Sequence, residues 1–300
     1  MIDALISRID ALDAPIVVGL DPTPEMIPQR IFAASQQGCP LKSMSAALLT
    51  FNREIIDAVY DLVPMVKPQI AMYERYGADG ILAYIETIAY AKAKGLIVIA
   101  DIKRGDIAST AEAYSSHIGG VEINGQRHDP WQSDFVTLNP YLGYDSIKPF
   151  ADICAENNKG MFVLVKTSNK SSGDLQDLQL SNGMKVYEHM ADLVSDWGRA
   201  FVGKHSYSKI GAVVGATFPE QGRELRKRMP HTFFLVPGYG AQGGAGKDLR
   251  GFFDAENKGC IVNSSRGIIA AWQKDSRFGE GNVQDAAREA VITMKKDLQL

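Results

Sequence analysis

The chain is poor in the residues that build metal and redox sites. Its 300 residues carry three cysteines, Cys39, Cys154 and Cys260, and five scattered histidines. An odd number of widely spaced cysteines gives no disulfide framework, and none sits at the spacing of a zinc or thiol-redox motif. Charge of one sign is also missing. With 32 basic and 35 acidic residues the net charge is −3, so there is no basic excess to follow a nucleic acid or an anionic membrane. No run approaches the roughly 18 apolar residues of a spanning helix. Met1-Ile2-Asp3-Ala4-Leu5 lacks a basic segment ahead of an apolar one, so no secretory signal is visible. The expectation is a cytoplasmic protein with no metal, organic cofactor, nucleic-acid or membrane partner.

What the chain does have is an ordinary globular balance, 45% hydrophobic and 22% charged, and a surplus of 28 glycines. Eight short apolar runs, rich in β-branched residues, recur along it: 14–21, 65–70, 96–103, 135–139, 161–168, 210–217, 232–237 and 260–265. Near-continuous apolar runs are what parallel strands covered on both faces require. Helical stripes lie between them, at 46–62 (Leu48, Leu49, Ile55, Ile56, Val59), at 78–93 (Ile81, Ile85, Ile88, Ala89) and at 186–197. Eight strands alternating with helices predict an α/β chain folded as a (β/α)₈ TIM barrel, one catalytic domain over 1–300. Insertions are expected near 22–45, 117–133 and 169–184. An open doubly-wound sheet is the alternative.

In a barrel the chemistry sits at the carboxyl ends of the strands. Here the runs end in Asp21, Lys67, Asp101 and Lys103, Asn139, Lys166-Thr-Ser168, Thr217, Pro237-Gly238 and Ser264-Ser265-Arg266. Charges closing buried strands are costly as mere packing. The densest group is Asp101-Ile-Lys103-Arg-Gly-Asp106-Ile107. At strand period two, Asp101 and Lys103 share a side, and Gly105 allows a turn that brings Asp106 to the next helix. Lys67 is available from the neighbouring strand. A lysine held between carboxylates stays protonated and is aimed as a proton donor.

Five glycines fall within Pro237–Gly246. Gly238-x-Gly240-x-x-Gly243 matches the dinucleotide fingerprint in form, but about 20 residues on stands Asn263 rather than an acidic ribose ligand. A P-loop fails as well, since Gly246-Lys247 is followed by Asp248. What remains is an amide-rich loop beside the last strand end, where barrels bind phosphate, with Arg266 placed to grip one. Two other readings stay open at this point. One is a Schiff-base aldolase using Lys103 or Lys166, opposed by the aspartates around Lys103, which favour a charged amine. The other is a silent phosphate-ligand binder.

The Asp101-x-Lys103-x-x-Asp106-Ile107 run resembles the signature of the orotidine 5′-phosphate decarboxylase family. So do Val18-Gly-Leu-Asp-Pro22, Lys67-Pro-Gln69, Thr137-Leu-Asn-Pro-Tyr-Leu-Gly143, Val165-Lys-Thr-Ser-Asn169, Gly215-Ala-Thr217 and Pro237-Gly-Tyr-Gly-Ala-Gln-Gly-Gly244, which look like its longer bacterial branch (type 2). The resemblance covers nearly the whole chain. It implies a cofactor-independent carboxy-lyase that converts orotidine 5′-monophosphate to UMP and CO₂ in pyrimidine biosynthesis. Lys67, Asp101, Lys103 and Asp106 would form the charged catalytic array, with Lys103 protonating C6. Asp21 would bind a ribose hydroxyl, Ser168 the pyrimidine amide edge, and Gln242 and Arg266 the phosphate. Asp106, Ile107 and Thr110 would act across a homodimer, in the neighbouring site.

Overall fold

The computed structural model describes residues 1–240 and 246–299. Eight strands close into a parallel barrel: β1 (Ile16–Leu20), β2 (Met65–Pro68), β3 (Ile97–Arg104), β4 (Phe135–Leu138), β5 (Gly160–Lys166), β6 (Ile210–Val214), β7 (Phe234–Val236) and β8 (Cys260–Ser264). Each pairs in parallel with its sequence neighbours, and β1 closes on β8 through Ile16, Val17 and Val18 opposite Val262, Asn263 and Ser264. The eight predicted runs are these eight strands, and the closed ring replaces the open sheet.

Two apolar layers follow from the strand alternation. Outward residues such as Val18, Val66, Val98, Val136 and Val163 pack under the helices. Inward ones, among them Val17, Met65, Ile99, Phe135, Phe162 and Ile261, fill the barrel. Phe135 and Phe162 stack there with ring centroids 5.3 Å apart. The amino-terminal helix Ile2–Leu12 adds Ile2, Leu5 and Ile6 to this inner cluster. It covers the end of the barrel away from the strand-end polar residues.

The predicted helices are Pro40–Val59, Gly77–Ala93 and Val186–Gly198. The first starts earlier than the apolar stripe because Pro40, with no N–H to satisfy, suits the first helical turn. The predicted insertions are partly ordered. Residues 22–45 hold a 3₁₀ turn, Pro24–Met26, and the helix Gln29–Ala34. Residues 117–133 contain an antiparallel hairpin, Val121–Ile123 with Gln126–His128, turning at Asn124-Gly125 with both φ angles positive. Residues 169–184 contain Lys170–Ser172 and the short helix Gly173–Gln176.

Two strands are irregular, both near their carboxyl ends. The register of β3 against β4 shifts between Ala100 and Arg104, and that of β5 against β6 between Leu164 and Lys166. Bulges re-aim side chains: the β3 irregularity bends the backbone at Lys103, and the one in β5 turns Lys166 away from the barrel interior.

Candidate active site

A cavity of about 640 Å³ opens at the carboxyl ends of the strands. Its floor is apolar, formed by Leu164, Val213 and Leu235, which rest on the inner barrel layer. Its walls carry Asp21, Lys67, Asp101, Lys103, Ser168 and Arg266, each singled out from the sequence.

Asp101, 4% exposed, stands at the centre. Lys67 Nζ lies 2.7 Å from its Oδ2 and Lys103 Nζ 2.5 Å from its Oδ1. Thr137 Oγ1 also donates to Oδ1, at 2.7 Å, and itself accepts from the backbone N–H of Lys103 at 3.0 Å. Lys103 sits in the left-handed region, φ 44°, so a turn of backbone rather than a straight strand folds its ammonium onto the carboxylate. Burial opposes ionisation of Asp101, but the two ammonium groups more than reverse this and hold it well below the usual carboxylate range. Burial likewise opposes charge on Lys67. The carboxylates of Asp101 and Asp21 overcome that and raise it above an ordinary lysine. Asp101 and Lys67 are therefore both charged at neutral pH.

Asp21 continues the array. Its Oδ1 is 3.7 Å from Lys67 Nζ and accepts no hydrogen bond among the described residues, while Oδ2 accepts from Ser265 Oγ at 2.7 Å. Gly19 makes this approach possible, since a Cβ there would fall 1.9 Å from Ser265 Oγ. Asn263 Nδ2 donates to Ser265 Oγ at 3.3 Å.

Lys166 does not join. The β5 bulge turns it outward, where it is wholly buried, 2.9 Å from Asp177 Oδ2, with the Phe218 ring 4.6 Å away. Two of the three strand-end lysines therefore face the cavity. The aldolase reading loses Lys166 by geometry and finds Lys103 in an ion pair.

Asp106 lies beside the turn after β3, and its Oδ1 accepts from the Ile107 N–H at 2.8 Å. The sequence places Lys103 between Asp101 and Asp106; among the described residues it pairs with Asp101 alone. Asp106, Ile107 and Thr110 do not line this cavity, and Ile107 is 60% exposed. Arg266 opens the short helix Arg266–Ile269 at the rim, and among the described residues its guanidinium makes no ion pair. Gln242 lies outside the described residues. The cavity also includes Gln69, Thr137, Thr167, Asn169, Gln176, Tyr239, Asn263 and Ser265, which sequence reasoning did not assign. Thr137 was within reach of it, being an inward position two residues before the end of its run.

An ammonium fixed by a buried carboxylate can deliver a proton in one direction and stabilise negative charge where that proton goes. Comparisons with known proteins place the chain in a family. Residues 14–277 match the orotidine 5′-phosphate decarboxylase / HUMPS family. An orotidine 5′-phosphate decarboxylase of Rhodopirellula baltica is 46% identical over 286 residues, 94% of this chain and 93% of that one. One of Clostridium acetobutylicum is 44% identical over 258 residues, 86% of each. The solved structure of Leishmania donovani OMP decarboxylase superposes with a TM-score of 0.72 at 28% identity, covering 98% of both chains. Matched from β1 past β8, and carrying the charged run Asp101–Asp106 on β3 and its turn, this chain belongs to the orotidine 5′-phosphate decarboxylase family.

Proposed function

We propose that this chain, acting as one catalytic domain over 1–300, decarboxylates orotidine 5′-monophosphate to UMP and CO₂, and that Lys103 delivers the proton to C6. The observation that carries this is the array Lys67–Asp101–Lys103 on the wall of the cavity. Breaking the bond from C6 to the carboxyl carbon leaves an electron pair on a ring carbon that no ring carbonyl readily delocalises. An ammonium directed at that carbon stabilises the pair and then protonates it. CO₂ departs, and Lys103 regains its proton from solvent.

The remaining roles follow the same chemistry. Asp21 Oδ1, which accepts no hydrogen bond among the described residues, suits a ribose hydroxyl. Ser168 suits the pyrimidine amide edge, and Arg266 at the rim suits the phosphate, together with Gln242. Distance from the reacting carbon makes phosphate binding useful, since remote contacts can be turned into transition-state stabilisation. Asp106, Ile107 and Thr110, away from their own cavity, suit the site of a second copy in a homodimer. The test is CO₂ release from orotidine 5′-monophosphate with EDTA present, by the unaltered protein and by Lys103→Ala. Turnover by the first and none by the second is expected. Near-normal turnover by Lys103→Ala would remove its role.

A further inference from the structure

The loop after β5 is fastened to the strand by two consecutive residues, Gln176 and Asp177. Asp177 Oδ2 pairs with the wholly buried Lys166 at 2.9 Å, and Ser172 Oγ lies 3.3 Å from the same ammonium. Gln176 grips the next residue at both ends of its amide. Its Oε1 accepts the Thr167 backbone N–H at 2.9 Å, and its Nε2 donates to Thr167 Oγ1 at 2.7 Å. That hydroxyl, its acceptor side engaged, donates to Asn169 Oδ1 at 2.6 Å. The residues on both sides of Ser168 are thereby tied together. From the opposite side Thr217 Oγ1 donates to the Ser168 carbonyl at 3.2 Å. Gly215 lets the backbones meet there, since a Cβ at that position would fall 2.7 Å from Ser168 N.

We propose that Gln176 is a positioning residue for base recognition: its two-point hold on Thr167, braced by the Lys166–Asp177 pair, fixes where Ser168 presents its hydrogen-bonding groups to the pyrimidine. This rests on the reading of Ser168 given above. A polar contact discriminates between ligands only when its geometry is held, because the discrimination comes from groups left unpaired by the wrong ligand. A loop without the hold lets Ser168 wander and binds the base and its absence more nearly alike. The phosphate end of the cavity, at Arg266, is served by β8 and does not depend on this loop.

The test compares two ligands that share the ribose phosphate and differ in the base, UMP and ribose 5-phosphate, by titration calorimetry on the full chain. Gln176→Leu removes both hydrogen bonds at similar volume. Gln176→Glu keeps an acceptor for the Thr167 N–H and loses the donor to its hydroxyl. Gln176→Leu is expected to weaken UMP about tenfold and ribose 5-phosphate less than twofold, with Gln176→Glu between it and the unaltered protein. Equal losses for both ligands would mean a general structural role and overturn the proposal, as would an unchanged UMP affinity. Failure of the parent reading looks different: the unaltered protein itself would then show no preference for UMP over ribose 5-phosphate.

Discussion

Lys103 donates to Oδ1 of Asp101 at 2.5 Å while its own backbone sits at φ 44°. Pairing and conformation belong together. The bulge in β3 folds the ammonium back toward the carboxylate two residues earlier, and Thr137 ties the Lys103 N–H and that same oxygen into one knot. Lys67 holds the other oxygen from β2. One buried carboxylate thus organises two cations, but the two differ in burial: Lys67 is 4% exposed, whereas the Lys103 side chain is 44% exposed.

That difference separates catalysis from stability. Lys103→Ala removes an accessible ammonium, so folding stability should change by about 1 kcal/mol or less. Turnover should fall at least about 10³-fold while UMP binding persists. Asp101→Asn should also remove activity, but it strips Lys67 of its main partner inside the barrel and should cost about 3 kcal/mol of stability. Thermal melts beside CO₂ assays check the pair. Equal melting temperatures for the two variants would contradict it.

Arg266 tests the proposed phosphate end. Arg266→Ala should weaken UMP by roughly 10- to 100-fold, the range of a lost charge-assisted contact. Uridine, which lacks the phosphate, should bind both proteins alike. Calorimetry with the two ligands reads this directly, and an unchanged UMP affinity would remove Arg266 from the site.

Much of this was legible in advance, for a physical reason. Strands buried on both faces must be apolar throughout, so the eight runs and their charged ends stood out against the helices. What escaped were effects of irregular backbone. Period-two counting puts Lys166 on the same face as Leu164, yet the bulge between them sends Lys166 out to Asp177. The hairpin at 121–128 carried its signal in Asn124-Gly125, but strands of three exposed residues leave no apolar pattern to support it. The hold of Gln176 on Thr167 joins residues nine apart through loop geometry, which no periodicity encodes.

Composite sites make a further expectation. Asp106 does not line its own cavity. If it serves a neighbour's, mixing inactive Lys103→Ala subunits with inactive Asp106→Ala subunits should restore up to about a quarter of full activity, from the hybrid sites that carry neither change. Verified subunit exchange with no recovery would argue against shared sites.

His117 predicts the acid side of stability. It is 5% exposed, stacked on Trp131 with centroids 4.1 Å apart, and its Nδ1 has no partner among the described residues. Burial first, and the nearby Arg104 charge second, push its pKa down to about 4 from 6.5. The unfolded chain therefore binds this proton more readily than the folded one. Stability from neutral His117 is complete above about pH 6.5 and is lost as pH falls toward about 4, on the order of 3 kcal/mol in all. His117→Phe keeps a ring against Trp131 and removes the titration. Denaturant melts between pH 4 and 7 should show a shallower slope for the variant. Asp101 does not confuse the window, because its depressed pKa places its own loss at lower pH.

The Lys166–Asp177 pair should respond unequally to loss of either partner. Lys166 is wholly buried, while the Asp177 side chain is 31% exposed and lies 3.4 Å from Gln221 Nε2. Asp177→Ala leaves an ammonium inside the fold with, among the described residues, Ser172 Oγ and two aromatic rings near it, and should cost about 3 kcal/mol. Lys166→Met fills much of the same space and leaves a carboxylate that water can reach, so about 1 kcal/mol or less is expected. The double variant should then be more stable than Asp177→Ala alone, because the second change removes the stranded charge left by the first. Urea melts of the three proteins measure the cycle. A double variant no better than Asp177→Ala would mean that Asp177 stabilises the loop by some contact other than Lys166.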